Sequence, residues 1–266
     1  MAETFTTPFH LSEYKIKNGL PETDTHKLII LETIDSTNHY AKELAVQGAK
    51  HNTVVLANHQ TAGRGRLGRS FFSPSDTGLY MSIILKPELV SLNSALFTIA
   101  AGVSVCRAIK QTCQMMPQIK WVNDIFINGR KICGILAESS SHSGNIDYII
   151  VGIGINVSTP HNIFPDELSN IAGSLGTNID RNLLAAEILK EFTELLSSNN
   201  TSDIINEYKQ ASLVLGKEIE FTQNGIQHKG IAIDINIEGN LVVALKDNTT
   251  IVLKSGEISL GSSNFI

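Results

Sequence analysis

Asn128-Gly129 stands between two apolar runs, Ile119–Ile127 and Lys131–Glu138, and nothing else in the chain limits its fold as strongly. Asn followed by Gly suits a two-residue type I′ turn, because both central positions take positive φ. The two runs are therefore expected to form an antiparallel hairpin. Further β-branched runs at Lys27–Ile34, Thr53–Ala57, Gly78–Lys86 and Ile146–Val157 read as strands, the third stopped by Pro87. Between them lie helical stretches. Asn38–Gln47 has N-cap candidates in Asp35-Ser36-Thr37 and a terminator in Gly48. Leu92–Thr112, Arg181–Ser197 and 202–213 follow. The fold class expected is α+β, a mixed central sheet with flanking helices. From about Leu215 the pattern changes to short strands with turns at Asn224-Gly225, Gly239-Asn240 and Asp247-Asn248. Residues 215–266 thus read as a small β-barrel, too small to stand without docking on its neighbour. Residues 27–214 form the main domain, and residues 1–26 a weakly patterned, irregular extension.

The segment Gln60–Arg69 reads Gln-Thr-Ala-Gly-Arg-Gly-Arg-Leu-Gly-Arg and joins two of those strands. Gly63, Gly65 and Gly68 let the backbone approach a ligand closely. Arg64, Arg66 and Arg69 supply planar cations that grip phosphate or carboxylate at two points. Alone, the segment serves equally as a solvated basic loop or a nucleic-acid tract. The composition decides between these: 21 Lys and Arg against 26 Asp and Glu give a net charge of -5. A protein that holds a polyanion by counterion release presents a broad basic surface. Positive charge confined to one loop of an acidic chain suits a small anion instead.

No run of 18 apolar residues suggests a membrane span, and the N-terminus lacks a signal-peptide pattern. Cys106, Cys113 and Cys133 have no metal-ligand spacing and read as reduced thiols of a cytoplasmic protein. No protein-bound metal is expected. Four other segments stand out. Ser36-Thr37-Asn38 lies at a strand-to-helix junction, where helix capping alone would explain it. Lys120-Trp121-Val122-Asn123-Asp124 places Asn and Asp inside a strand-like run, where they are disfavoured, so a bulge or a polar site is expected. Arg130-Lys131 follows the turn, where a solvated charge pair is the plain alternative. Gly152 and Gly154 interrupt an apolar strand, which implies a bulge or something packed flat on the backbone. No Walker loop and no Ser/His/Asp set is present.

In this order and spacing the segments resemble the biotin protein ligase family. The resemblance extends through Gly134-Ile135-Leu136-Ala137-Glu138, Gly152-Ile153-Gly154-Ile155-Asn156 and Gly256-Glu257-Ile258-Ser259-Leu260, covering roughly residues 27 to 262. It implies a fold related to the class II aminoacyl-tRNA synthetase catalytic domain, followed by an SH3-like barrel. It also implies an ATP-dependent ligase that makes biotinyl-5′-AMP with Mg2+ and passes biotin to a lysine of a biotin carboxyl carrier domain. Lys131 and Arg66 would be catalytic. Biotin would be held by Ser36, Thr37, Asn38, Gln60, Arg64, Gly65, Arg66, Lys131, Gly134 and Gly152. The nucleotide would meet Arg64, Arg69, Phe71, Asn123, Asp124, Lys131, Gly154 and Asn156.

Val122 departs from the proline common at that position. The short segment before the first core strand implies the monofunctional type, without a DNA-binding domain or DNA partner, acting as a monomer or a ligand-linked homodimer. A lipoate or octanoate ligase is the nearest rival reading. A nucleic-acid-binding regulator is the rival from another class.

Overall fold

The computed structural model describes residues 10–86, 94–142, 145–198, 200–247 and 249–260. Pro87, Leu92 and Asn248, invoked above as a strand stop, a helix start and a turn residue, lie outside the described residues. Seven strands form a mixed sheet: β1 (Lys27–Ile34), β2 (Thr53–Gln60), β3 (Gly78–Leu85), β4 (Gln118–Lys120), β5 (Asp124–Ile127), β6 (Arg130–His142) and β7 (Asn145–Asn156). Their spatial order is β1-β2-β3-β7-β6-β5-β4. β1 and β2 run parallel, which requires a crossover; helix α2 (Thr37–Val46) provides it. The other neighbouring pairs are antiparallel.

Side chains alternate across a strand, and here both faces are covered. Val54, Leu56, Ile83, Leu85, Val151 and Ile153 join the main core with α3 (Ser94–Cys113) and α5 (Arg181–Ser197). Val55, Ile84 and Ile150 turn the other way and pack on Ala41 and Ala45 of α2. Burial on both faces is why these strands read as continuous apolar runs. Along the α2 face of β3 and β7, however, Ile84 and Ile150 give way to Ser82, Gly152 and Gly154. Small residues leave that face open beside the N-terminus of α2, and the opening is the candidate site.

Two expectations are corrected. Ile119–Ile127 is not one strand: the chain turns back at residues 121–123, so β4 pairs with β5 through Ile119↔Ile125 and Lys120↔Asp124. Side chains stabilise this turn. Trp121 is buried and its indole N–H donates to Gly239 O at 3.0 Å, while Asn123 Nδ2 donates to Ile135 O at 3.0 Å. The predicted Asn128-Gly129 turn does form between β5 and β6, with φ of 50° and 74°.

The second correction concerns the N-terminal segment, which is not irregular throughout. Residues Glu13–Asn18 make helix α1, capped by Ser12. Leu11 and Ile16 are buried in the main core. Ser12 N donates to Asn182 Oδ1 at 2.8 Å, which ties the segment to α5.

After α4 (Asp166–Ser169), α5 and α6 (Thr201–Gln210), five antiparallel strands close the chain: β8 (Glu218–Gln223), β9 (Ile226–Ile235), β10 (Leu241–Leu245), β11 (Thr250–Leu253) and β12 (Ile258–Leu260). This small sheet docks where Gly239 meets Trp121 and Ile99. Among the described residues no helix is long and apolar enough to cross a membrane. The cysteines are free; burial, then Glu207, pushes the Cys106 thiol up to about 12, so it is not a reactive thiolate.

Candidate active site

The arginine segment closes on itself as a miniature hairpin. Phe71 N donates to Gly63 O at 2.8 Å and Gly65 N to Arg69 O at 2.7 Å, with Arg64 bridged to Ser70 between them. Its tip, Arg66–Gly68, is a single 3-10 turn in which Leu67 and Gly68 take φ of 54° and 77°. Glycine is needed at position 63, where a Cβ would overlap Phe71 O. The three arginines leave this hairpin in different directions. Arg64 Nη2 lies 3.2 Å from Glu138 Oε1. Arg66 donates to Asn123 Oδ1 at 2.9 Å and to Gly256 O at 3.3 Å. Arg69 Nη2 lies 2.6 Å from Glu257 Oε2. The hairpin thus spans the cleft from β6 to the C-terminal domain.

At the N-terminus of α2 a chain of polar groups lines the wall. Ser36 caps the helix. Thr37 donates from its N–H (2.8 Å) and its hydroxyl (3.1 Å) to Gln60 Oε1. Gln60 Nε2 in turn donates to Ser73 Oγ at 2.9 Å. Asn38 is engaged on both sides of its amide: Nδ2 donates to Glu138 Oε2 at 2.8 Å and Leu136 O at 3.3 Å, and Oδ1 lies 2.6 Å from Ser82 Oγ. This amide rests directly on Gly152, where a Cβ would overlap Asn38 Oδ1. Gly152→Ala is therefore expected to expel Asn38 from its bonds. A loss of about 1–3 kcal/mol in unfolding free energy follows, the usual cost of an unpaired buried polar group. Chemical denaturation measures it, and wild-type stability with wild-type ligand affinity would contradict it.

The floor is a glycine pair. Gly134 of β6 stands opposite Gly154 of β7, and the Phe71 ring lies over both. A Cβ at Gly154 would sit 2.7 Å from the ring, and one at Gly134 3.3 Å. A bulge or something packed flat on the glycine backbone was expected; the strands pair without a register shift here, and the protein's own phenyl ring lies on the glycines. Beside the floor, Lys131 Nζ is 2.7 Å from Asp124 Oδ1. The Lys131 backbone is held on one side by Ile171 O (2.8 Å) and on the other by Gly173 N (2.9 Å).

These walls enclose a cleft of about 440 Å³. Of the residues assigned above to catalysis, biotin or nucleotide, all but Asn156 line it. Asn156 ends β7 opposite Gly78, and its buried Oδ1 has no hydrogen-bond partner among the described residues. Lys120, Leu168, Ile171 and Glu257 line the cleft without having been assigned a role. Lys120 had a sequence signal, as the charged neighbour of Asp124 in the same motif. Leu168 and Ile171 had none, since they sit on a short helix and an irregular stretch.

Comparison with known proteins agrees with this geometry. Residues 30–156 match the biotin/lipoate A/B protein ligase family, and residues 214–261 match the biotin protein ligase C-terminal domain. The chain is 36% identical over 264 residues to the bifunctional ligase/repressor of Bacillus subtilis, covering 96% of this chain and 80% of that protein. It is 30% identical to the biotin–[acetyl-CoA-carboxylase] ligase of Mycobacterium tuberculosis over 87% of this chain and 88% of the relative. The biotin protein ligase of Aquifex aeolicus, solved with biotin and ATP, superposes with a TM-score of 0.76 at 28% identity, covering 89% of this chain and 99% of that one.

Proposed function

The chain belongs to the biotin/lipoate A/B protein ligase family as a biotin protein ligase, and we propose that it activates biotin with ATP to biotinyl-5′-AMP and transfers the biotinyl group to a lysine of a biotin carboxyl carrier domain. The observation that carries this reading is one cleft that joins the polar α2 wall, the glycine floor and the cations Lys131 and Arg66.

In the first step a biotin carboxylate oxygen attacks the α-phosphorus of ATP, and the bond to pyrophosphate breaks. Two anions must approach, so the barrier falls where fixed cations meet the charge that develops. Lys131, beside the floor, and Arg66, aimed into the cleft, supply those cations. Ser36, Thr37 and Gln60 offer partners to the N–H and C=O groups of the ureido ring, which otherwise lose their hydrogen bonds on burial. Arg64 serves the anionic end of biotin and the phosphate of the adenylate. Asn123, Asp124 and Phe71 border the nucleotide.

In the second step the carrier amine attacks the acyl carbon, AMP leaves, and the amine proton is released. Mg2+ enters as MgATP. Asp124, Glu138 and Glu257 are each already paired with a cation, and no group of three metal-ligating side chains exists among the described residues. This donor set suits a metal brought by substrate phosphates rather than a resident one.

The C-terminal domain match, which names biotin protein ligases, and the arginine hairpin favour biotin over lipoate. An ATP–pyrophosphate exchange assay is expected to show stimulation by biotin. Stimulation by lipoate alone would overturn the assignment.

A further inference from the structure

Arg130 follows the Asn128-Gly129 turn, where a solvated charge pair was the plain alternative, but its guanidinium reaches the end of α4. Its Nη1 donates to Ser169 O at 2.7 Å and to Ala172 O at 3.3 Å, and lies 3.4 Å from His161 Nε2. His161 Nε2 is itself 3.0 Å from Ser169 O. Arg130 makes no ion pair with a carboxylate among the described residues. The last carbonyls of a helix lack partners within it, and an arginine near that end satisfies them. A helix of four residues has almost no stability of its own, so such contacts decide where α4 lies.

The same few residues are also held through the main chain. Lys131 N donates to Ile171 O, Gly173 N donates to Lys131 O, and Lys131 bridges Ala172 in parallel. A Cβ at Gly173 would sit 2.8 Å from Arg130 Cβ, so glycine there admits the stem of the arginine. The segment so held carries Leu168 and Ile171, both of which line the cleft. Ile171 is 51% exposed, which leaves apolar surface on this wall for a ligand to cover.

Resting on the activity proposed above, we infer that Arg130 is a positioning residue. It clasps residues 166–173 to the end of β6, and so sets both the Lys131 backbone and the apolar wall of Leu168 and Ile171. Arg130 does not itself line the cleft, so its effect reaches the reaction through these neighbours. The polar wall at α2 rests on bonds among Thr37, Gln60 and Ser73, none of which involves the clasp. Loss of Arg130 should therefore harm the adenylate and spare biotin.

The test pairs amide hydrogen exchange with single-turnover kinetics, on the full-length protein and its Arg130→Ala, Arg130→Lys and Gly173→Ala variants. In Arg130→Ala, exchange across residues 166–173 should quicken about tenfold or more, the scale of one lost hydrogen bond to a charged group. Adenylate formation should slow and biotinyl-AMP release should quicken by a similar factor, while biotin affinity stays near wild type. Arg130→Lys keeps a cationic donor without the planar fork and should recover part of the loss. Gly173→Ala keeps the guanidinium but forces the segment off the arginine stem, and should give the same kinetic pattern. Unchanged exchange over residues 166–173 in Arg130→Ala would refute the clasp. So would an equal loss of biotin affinity, which would mark a general loosening of the fold. Biotin-dependent ATP–pyrophosphate exchange by the wild type separates the two levels. If it is absent, the proposed activity fails and this role with it; if it is present while the variants match wild type in adenylate formation and release, the role of Arg130 alone fails.

Discussion

Lys131→Ala is expected to slow adenylate formation by about a hundredfold to a thousandfold, the range seen when one preorganised charge-stabilising group is removed from a reacting centre. Biotin affinity should change far less. The difference follows from where the ammonium stands. Its backbone is pinned from both sides by Ile171 O and Gly173 N, and Asp124 holds the side chain at 2.7 Å. A cation fixed in this way needs little reorganisation when negative charge gathers between carboxylate and α-phosphate. Bound biotin alone brings a single carboxylate, for which Arg64 and Arg66 are also available in the same cleft. The ammonium is therefore worth more in the transition state than in the binary complex. Single-turnover adenylate formation with saturating biotin and ATP, beside a biotin titration, separates the two quantities. Equal losses in both would make Lys131 a binding residue with no special role in the reaction.

Features with a local cause were legible in the sequence. β1 and α5 occupy the residues that their β-branched content and their periodicity indicated, and the Asn128-Gly129 turn needs only its own two residues. The candidate site was legible for the same reason: glycines in a strand and arginines in a glycine-rich loop are locally anomalous wherever they occur. What escaped depends on distant partners. The reversal at residues 121–123 is stabilised by an indole bond to Gly239, 118 residues away, so Ile119–Ile127 read as one strand. The short helix α1 has little propensity of its own to carry it and depends on docking against α5. The Phe71 ring over the glycine pair needs three segments to meet, and no spacing along the chain announces that. Asn156, assigned to the nucleotide from its motif, stands at the end of β7 opposite Gly78 and is not among the residues that line the cleft.

Arg66→Ala is expected to accelerate release of biotinyl-AMP by about a hundredfold, because two effects coincide in one side chain. The first is charge. The Arg66 fork is oriented by Asn123 and Gly256 O, neither of which neutralises it, so the adenylate phosphate meets a cation already in place. Hydrogen bonds to a charged group contribute about 1.5–3 kcal/mol each, which spans about tenfold to more than a hundredfold in affinity. The second is mechanical. Arg66 sits at the tip of the Gly63–Phe71 hairpin and fastens that tip to both the catalytic sheet and the C-terminal domain. Arg69 makes the second attachment of the hairpin to that domain, but through an exposed ion pair with Glu257, a type worth about 0–1 kcal/mol. Loss of Arg66 therefore leaves the hairpin weakly tethered over a mixed anhydride that water can attack. Stopped-flow dissociation of biotinyl-AMP reads the effect, and an unchanged dissociation rate would contradict it. Arg66→Lys separates the two contributions, since an ammonium keeps the charge but cannot form the same planar fork. If charge alone matters, this variant should hold the adenylate nearly as well as wild type. If the fastening matters too, it should fall between wild type and Arg66→Ala, and hydrolysis of the enzyme-bound adenylate should rise along the same series.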